Sequence, residues 1–307
     1  MKRLLGLGTR WRRARQAAGQ VLSMNQRNLL YIYPNNHRKH FPISDNKLLA
    51  KKTLAAAGVP VPDTYRTYGS FYELRTMAED LRGFPPFVIK PAQGSGGGGI
   101  VVVAGRDGDD WLSAGGKRFT VSDLRGHISD ILFGIHSFGL SDCAVIEQKV
   151  EQHPVMAELS PGGLADVRVI LFKGKPAMAM TRIPTRSSDG KANLHQGAVG
   201  AGIDLKTGRT VQAILGGRPA MEHPDTGLAL IGRQVPFWPE VLRVARRTAA
   251  AVPLGYIGAD IVLSPQGPLV LEINVRPGLQ IQNANGRGMR QVLEALGGMH
   301  TEWDEEP

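Results

Sequence analysis

A run of glycines after residue 93 is the part of the sequence best suited to bind an anion. It holds five glycines and one serine between residues 94 and 99. Because glycine has no β-carbon, the backbone amides of such a loop can approach a phosphate closely. A strand-like run ending at Lys90 precedes the loop, and the strand-like IVVVAG follows it. The pattern predicts a phosphate-binding flap, with the Lys90 ammonium as a further contact; a flexible linker is the alternative.

Two common phosphate motifs do not account for this loop. Gly94, Gly96 and Gly99 satisfy the spacing GxGxxG, but the dinucleotide-binding form of that motif must open a helix, and here a strand follows. The P-loop pattern GxxxxGK[ST] does not occur in the chain. A flap joining two strands therefore remains the prediction.

A second group of polar residues lies near the end of the chain. Asp260 and Glu272 are equally distant from residue 266, in the apparent SPQG turn, so an antiparallel hairpin would place them opposite one another. Asn274 shares the face of Glu272. Two carboxylates and an amide oxygen suit Mg²⁺; an ordinary solvated face is the alternative. The same alternation predicts two sets of apolar residues, namely Ile261, Leu263, Leu271 and Ile273 on the opposite face, and Val262 and Val270 on the acidic face.

These residues must be held by strands with helices between them. AVIEQKV at residues 144–150 is one strand candidate, VRVILFKGKPAMAMTRI contains two strands joined at Lys173 and Gly174, and PEVLRVARRTAAAV has helical period. Ser44 and Asp45 give a helix start signal, and Gly58 gives a stop. The preceding stretch, residues 28–47, is rich in turn residues and is predicted to wrap a surface. Together these patterns predict an α+β protein with antiparallel sheets.

Six segments in this order resemble the motif series of the ATP-grasp superfamily: DNKLLAKKTLAAAGVPVP, FVIKPAQGSGGGGIVVV, AVIEQKV, DVRVILFKGKP, NLHQGAVG and GADIVLSPQGPLVLEINVRPG. Within it, the chain most resembles the α-L-glutamate ligase-like, sugar-transfer-associated branch, over about residues 24–292. The resemblance implies two α+β lobes whose antiparallel sheets clasp ATP. It divides the chain into a basic N-terminal arm (1–44), an N-terminal lobe with the flap (45–150) and a C-terminal lobe with the metal site (151–307).

The resemblance also implies roles for individual residues. Lys47 and Lys90 correspond to the lysines that contact the ATP phosphates, and Glu147, Gln148 and Val150 to the segment that contacts adenine. Glu151 is the candidate for the ribose. The flap residues that would close over the nucleotide are Gln93, Ser95, Gly96, Gly97, Gly98 and Gly99.

The remaining matched positions concern the reacting groups and the metal. Asp260, Glu272 and Asn274 correspond to ligands of Mg²⁺, with two ions expected and Mn²⁺ as a substitute. The residues matched to positions near the reacting groups are Arg168, Arg182, Asn193 and Arg276. Arg168 and Arg276 are predicted to bind a carboxylate or to stabilise an oxyanion. Arg276 differs from the small residue found at this position in the α-L-glutamate ligases that modify the C-terminus of a ribosomal protein.

The activity implied is an ATP- and Mg²⁺-dependent carboxylate–amine ligase that works through an acyl phosphate. It would join an amino acid, glutamate first among the candidates, to a peptide or small amine. A catalytically silent ATP-binding scaffold that docks a partner through its basic arm is the alternative. A nucleic-acid-binding protein is disfavoured, because the interleaved aromatic residues expected for single strands are missing.

The charge of the chain is concentrated at one end. Residues 1–52 hold twelve Lys or Arg and one acid, a net +11, whereas the other 255 residues carry a net −1. Apolar residues at helical spacing between Leu4 and Val21 predict a basic amphipathic helix. This arm is expected to stand where related ligases have a whole preceding domain, and residues 1–22 are candidates to contact a membrane protein or membrane surface. The oligomeric state is left open.

The composition constrains the setting of the protein. No apolar stretch approaches the roughly 18 residues that a membrane-spanning helix needs, and the basic start lacks the apolar block of a secretion signal. The single cysteine, Cys143, cannot form an internal disulfide. We therefore expect a cytoplasmic protein, with the inner membrane face as a possible site of peripheral attachment.

Overall fold

The computed structural model describes residues 19–94 and 97–297. The arm residues 1–18 and the flap residues Ser95 and Gly96 lie outside these ranges. The helices are α1 (Met24–Gln26), α2 (Pro42–Asp45), α3 (Lys47–Ala56), α4 (Met77–Gly83), α5 (Val121–Leu132), α6 (Pro154–Leu159), α7 (Trp238–Ala251), α8 (Gln280–Ala284) and α9 (Arg290–Ala295). Shorter helical turns, one of them π-helical and the rest 3₁₀, cover Arg27–Ile32, Arg38–His40, Phe71–Arg75, Arg186–Ser188 and Leu194–Gln196.

The strands form three sheets, in each of which the neighbouring strands are antiparallel. In chain order they are β1 (Thr64–Tyr68), β2 (Phe87–Pro91), β3 (Val101–Val103), β4 (Gly105–Asp107), β5 (Asp110–Leu112), β6 (Arg118–Phe119), β7 (Ala144–Gln148), β8 (Asp166–Phe172), β9 (Lys175–Ile183), β10 (Val199–Ile203), β11 (Thr210–Leu215), β12 (Arg218–Pro219), β13 (Tyr256–Ser264) and β14 (Gly267–Asn274). Four strands, in the order β1-β7-β2-β3, make the small sheet, and seven, in the order β12-β11-β10-β9-β8-β13-β14, make the large sheet. Strands β4, β5 and β6 form the third.

The small sheet presents one apolar and one charged face. Phe87 and Ile89 of β2 and Ile146 of β7 lie in a core shared with α5, whereas Lys90 and Glu147 alternate with them and point to the other face. Strand β2 also pairs with β3, with Ile89 opposite Val101. The glycine loop therefore joins two antiparallel strands, which confirms the sequence prediction for the elements on either side of it.

The large sheet is packed against α7, as the helical period of that segment predicts. Val241, Val244 and Ala245 of α7 are buried in the same core as the strands. Strands β8 and β9 are joined at Lys173 and Gly174, both with positive φ (48° and 77°), which is the two-residue turn favoured between right-twisted strands. The predicted α+β class with antiparallel sheets is confirmed.

The hairpin of β13 and β14 places Asp260 directly opposite Glu272, as predicted. Its register shifts by one residue between Asp260 and Ile261, because a β-bulge leaves Leu271 without a partner. Beyond the bulge, Val270 pairs with Ile261 and is buried in the core. The prediction that Val270 lies on the acidic face is therefore wrong, since the extra residue reverses the alternation of side chains.

The segment before α3 does not wrap the surface. Residues 24–32 are helical, and Tyr31 and Ile32 are wholly buried against the large sheet. Asn36 pairs with the backbone of Tyr256, accepting from its N–H at 2.8 Å and donating to its carbonyl at 2.7 Å. The turn-forming residues of this stretch therefore fasten the chain to β13 rather than expose it.

Helix α3 connects the two sheets. Just before it, the hydroxyl of Ser44 in α2 donates to the Ile273 carbonyl of β14 at 2.9 Å, and at its first residue the Lys47 N–H donates to the Ala92 carbonyl just after β2 at 2.7 Å. Ala50 and Leu54 lie in the core of the large sheet. The division of the chain at residues 45 and 151 stays a prediction. Within residues 19–94 and 97–297, no helix is long and apolar enough to span a membrane.

Candidate functional site

Two lysines share one buried carboxylate on the charged face of the small sheet. Glu147 of β7 is 4 % exposed; its Oε1 lies 2.5 Å from the Lys90 Nζ of β2, and its Oε2 pairs with Lys51 of α3. Burial alone would raise the pKa of Glu147, but the two ammonium groups hold it below its ordinary value. Burial lowers the pKa of Lys51, and Glu147 opposes that shift. The side chain of Glu147, predicted only to belong to the adenine-contacting segment, thus orients the predicted phosphate-binding Lys90.

Lys47 stands between this lysine cluster and the acidic hairpin. Its Nζ donates to the Gly94 carbonyl at the start of the flap. Burial lowers the pKa of Lys47, the charge of Glu272 raises it, and Lys90 lowers it further. Glu272 and Lys90 are therefore both close enough to act on one ammonium group. The predicted phosphate-binding lysines and a predicted metal ligand thus lie near one another.

The described part of the flap is held at both ends. The Gln93 N–H donates to both carboxylate oxygens of Asp142 at 3.1 Å, and its side-chain amide donates to the Ser141 carbonyl. Toward the other end, a ring nitrogen of His127 lies 2.9 Å from the Gly99 carbonyl oxygen. Gly97 and Gly99 both have positive φ, 78° and 73°, which glycine adopts without strain. These contacts hold the described residues on either side of the loop in place.

A polar row crosses the large sheet from β14 to β9, with Asp260 at its centre; we define it as Glu272, Asn274, Asp260, Arg168, Asp166 and Arg182. Arg168 binds Asp260 at two points, Nε to Oδ1 at 2.7 Å and Nη2 to Oδ2 at 2.6 Å. Arg182 and Asn274 donate to Oδ2 at 2.8 and 3.1 Å. Burial would raise the pKa of Asp260, but Arg168 and Arg182 hold it well below its ordinary range.

Asp166 completes this row and was not predicted from the sequence. Its carboxylate accepts two bonds from Arg182, one from Nε at 2.7 Å and one from Nη2. Burial, assisted by the negative charge of Asp260, raises the pKa of Asp166 to about 6, and Arg182 opposes the shift. The available signal was the spacing in DVR, because residues two apart on a strand share a face.

The acidic end of the row has the donor chemistry of a magnesium site. Burial and the neighbouring Asp260 charge raise the pKa of Glu272, as expected for two carboxylates close together. Asn274 Nδ2 lies 3.1 Å from Asp260 and 3.4 Å from Glu272, so the three side chains converge. The residues therefore fit Mg²⁺.

Further acidic or imidazole ligands do not enlarge this site. Over residues 19–94 and 97–297, there is no group of three or more His, Cys, Asp or Glu side chains arranged to hold a metal ion. Among the described residues, the candidate site consists of two carboxylates and one amide, and Mg²⁺ usually completes its coordination with oxygens of water or substrate.

Other predicted residues lie apart from the polar row. Arg276 is exposed and stacks over Phe41, with 5.0 Å from the guanidinium carbon to the ring centroid. Asn193 caps a short helical turn by accepting from the His195 N–H. The side chain of Gln148 accepts from the Asp63 N–H, Val150 is buried and Glu151 is exposed. The roles assigned to these five residues stay predictions.

Three supporting residues were missed because their importance depends on contacts distant in the chain. Lys51 reaches Glu147 across 96 positions and Asp142 reaches Gln93 across 49. Asp166 is the third. For Lys51 a weak signal existed, since it lies four residues after Lys47 on the same helix face; for Asp142 we find none.

Comparison with known proteins identifies the family of this chain. Residues 26–298 match the model of a family described as "Sugar-transfer associated ATP-grasp". A curated relative from Maridesulfovibrio salexigens, called "Probable alpha-L-glutamate ligase", is 24 % identical over 257 residues, covering 84 % of this chain and 64 % of the relative. A protein of the same name from Marinobacter nauticus is 25 % identical over 275 residues, covering 88 % and 68 %. The chain thus spans about two thirds of the length of these relatives.

Solved structures show a similar fold. The crystal structure of VanG D-Ala:D-Ser ligase from Enterococcus faecalis aligns with a TM-score of 0.50 at 16 % identity, covering 82 % of this chain and 60 % of that one. At this identity the likeness concerns the fold alone.

Proposed function

Because the chain belongs to the sugar-transfer associated ATP-grasp family, we propose that it is an ATP- and Mg²⁺-dependent carboxylate–amine ligase that works through an acyl phosphate. One observation carries the proposal. Lys47 contacts the glycine flap through Gly94, and the charges of Lys90 and Glu272 both shift the pKa of its ammonium group. A triphosphate beneath the flap would therefore lie between the two lysines and the acidic end of the polar row.

The charges of the site match the demands of phosphoryl transfer. Negative charge spreads over the phosphoryl oxygens in the transition state, and catalysis consists mainly of neutralising that charge and aligning the reactants. Lys47 and Lys90 would bind phosphate oxygens, while Glu147 and Lys51 keep the Lys90 ammonium in place. Asp260, Glu272 and Asn274 would hold Mg²⁺, which when bound would shield the negative phosphate oxygens and so favour attack on phosphorus by a nucleophile.

The proposed reaction has two steps. A substrate carboxylate oxygen attacks the γ-phosphorus of ATP, the bond to the β–γ bridging oxygen breaks, and ADP leaves. An amine nitrogen then attacks the carbonyl carbon of the acyl phosphate, phosphate departs with the bonding pair, and the nitrogen loses a proton. Arg168, at the centre of the sheet, would stabilise the anionic oxygens in both steps. Neither step requires a nucleophilic side chain, so Cys143 has no part in it.

The substrates follow from the relatives rather than from the geometry. Since curated relatives are named probable α-L-glutamate ligases, we propose glutamate, or another amino acid, as one substrate and a peptide or small amine as the other. We further propose that the basic residues 1–22 attach the protein to a membrane protein or membrane surface on the cytoplasmic side.

The proposal is tested by incubating the protein with ATP, Mg²⁺, mixed amino acids and candidate acceptors. We expect release of ADP and phosphate together with an acceptor heavier by one amino-acid residue, as detected by mass spectrometry. Glu272→Gln should abolish product formation while keeping the folded structure. The control Glu222→Gln, at an exposed position, should form product at the wild-type rate. ATP binding with no product across a broad panel would instead support the silent scaffold.

A further inference from the structure

Asp260, at the centre of the polar row, is neutralised by arginine. This carboxylate is 1 % exposed, and a charge so deeply buried needs a counter-charge. Arg168 supplies a two-point ion pair at 2.7 and 2.6 Å, and Arg182 supplies a third bond at 2.8 Å. Asp260 is also a residue that we propose to hold Mg²⁺. A bound Mg²⁺ ion and the arginine guanidinium groups would therefore use the same carboxylate.

The two arginines differ in what else holds them. Arg182 donates from Nε and Nη2 to Asp166 and keeps that ion pair whatever happens at Asp260. The hydrogen bonds that the structure gives to the Arg168 side chain all go to Asp260. If another cation takes the carboxylate, Arg182 remains paired, whereas Arg168 is left as an unpaired, nearly buried guanidinium.

We propose that Arg168 occupies the place of the divalent cation at Asp260, leaves Asp260 when the cation binds, and then binds an anionic oxygen of the substrate. The inference rests on the proposed function, because it assumes that Asp260 is a metal ligand. It assigns Arg168 two alternative partners and makes substrate binding depend on prior cation binding.

The surroundings favour this exchange. Glu272 lies directly opposite Asp260 on β14, so a divalent cation satisfies two carboxylates at once, whereas Arg168 in its present position bonds to only one of them. A released guanidinium in a partly dry site binds carboxylate or phosphoryl oxygens at two points. Arg168 lies on β8, the neighbour of β13 in the large sheet, and its charge acts on Glu272, as does that of Lys47. A freed guanidinium therefore stays beside Asp260 and Glu272.

The exchange has a measurable consequence for cation affinity. A cation that must displace Arg168 binds with an apparent affinity reduced by the fraction of molecules in which Asp260 is free. Removal of the guanidinium should therefore tighten cation binding. A purely structural Arg168 would behave in the opposite way, because its loss would loosen the strand that carries it and weaken the site.

The test is a calorimetric titration of the full chain with Mn²⁺ in the presence of ADP. We expect Arg168→Gln to bind Mn²⁺ about tenfold more tightly than the wild type. Arg287→Gln is the control, because it removes an equal charge from an exposed position with no assigned role in the site; its affinity should stay within about twofold. Unchanged or weaker binding by Arg168→Gln, or an equal gain in the control, would overturn the proposal.

A second measurement uses the wild type and so does not depend on a variant folding. With ¹⁵N-arginine labelling, the Nε signal of Arg168, identified by its loss in Arg168→Lys, should shift when Mg²⁺ is added to the ADP complex, while that of Arg182 stays. An unmoved Arg168 signal in a sample that binds Mg²⁺ refutes the exchange alone. Failure of the wild type to bind Mg²⁺ or Mn²⁺ with ADP refutes the proposed function itself.

Discussion

Lys90 and Glu147 form a buried ion pair between neighbouring strands of the small sheet, with 2.5 Å between Nζ and Oε1. Lys51 approaches the same carboxylate from α3, so one negative charge holds two positive ones below the flap. Lys90 is only 6 % exposed. Its ammonium is positioned by a carboxylate rather than by water.

Glu147→Gln should destabilise the protein strongly. The substitution leaves two ammonium groups without their shared counter-charge, and breaking a buried pair from one side costs about 3–5 kcal/mol. We expect the free energy of unfolding in urea to fall by that amount, and that of the exposed control Glu222→Gln by less than about 0.5 kcal/mol. Equal stability of the two variants would show that the lysines do not depend on Glu147.

Lys90→Met should weaken ATP binding. Methionine keeps the length and much of the volume of the side chain, so the packing beneath the flap survives while the charge is lost. Since hydrogen bonds to charged groups contribute about 1.5–3 kcal/mol, the dissociation constant for ATP should rise by roughly tenfold to hundredfold. Lys117→Met, at an exposed position of the same lobe, serves as control. An unchanged constant for Lys90→Met in calorimetry would contradict the assigned role.

Asp166 should make the stability of the fold depend on pH. Its pKa is about 6 in the folded chain against an ordinary 3.8, so the folded state binds this proton more tightly than the unfolded state does. The stabilisation is present below pH 4 and is lost as the pH rises through 6. Two pKa units correspond to about 3 kcal/mol.

The matched measurement compares the wild type with Asp166→Asn in urea from pH 4 to pH 6.5. The wild type should lose about 2 kcal/mol relative to the variant as the pH rises through this window. A difference that stays constant with pH would contradict the raised pKa, whatever its absolute size.

Gly99→Ala should distort the flap more than backbone strain alone explains. Gly99 has a φ of 73°, and a β-carbon there would lie 2.6 Å from the His136 ring. Gly108 has a φ of 61° with no atom within 4 Å of that position, so Gly108→Ala isolates the strain of about 1 kcal/mol. We expect Gly99→Ala to lose more stability than Gly108→Ala in urea and to bind ATP more weakly. Equal losses would show that His136 moves aside freely.

The hairpin shows how far local reasoning reaches. The prediction centred the turn on residue 266, whereas the strands pair Ser264 with Gly267 and the turn is centred half a residue earlier. The bulge at Leu271 shifts the register by one residue in the compensating direction. Asp260 therefore faces Glu272 as predicted, although the prediction for Val270 on the other side of the bulge is wrong.

The sequence by itself determined the strands β2, β3, β7, β8, β9, β13 and β14, the turn at Lys173 and Gly174, the amphipathic α7 and a glycine loop that follows a lysine. Each of these depends on residues close together in the chain, where the alternation of apolar and polar residues and the turn-forming residues can be recognised. Only the tertiary structure decided which charges pair. Asp260 pairs with Arg168 and Arg182, which lie 92 and 78 residues away in the chain. No local pattern encodes such pairings, because they follow from the order in which strands pack into a sheet.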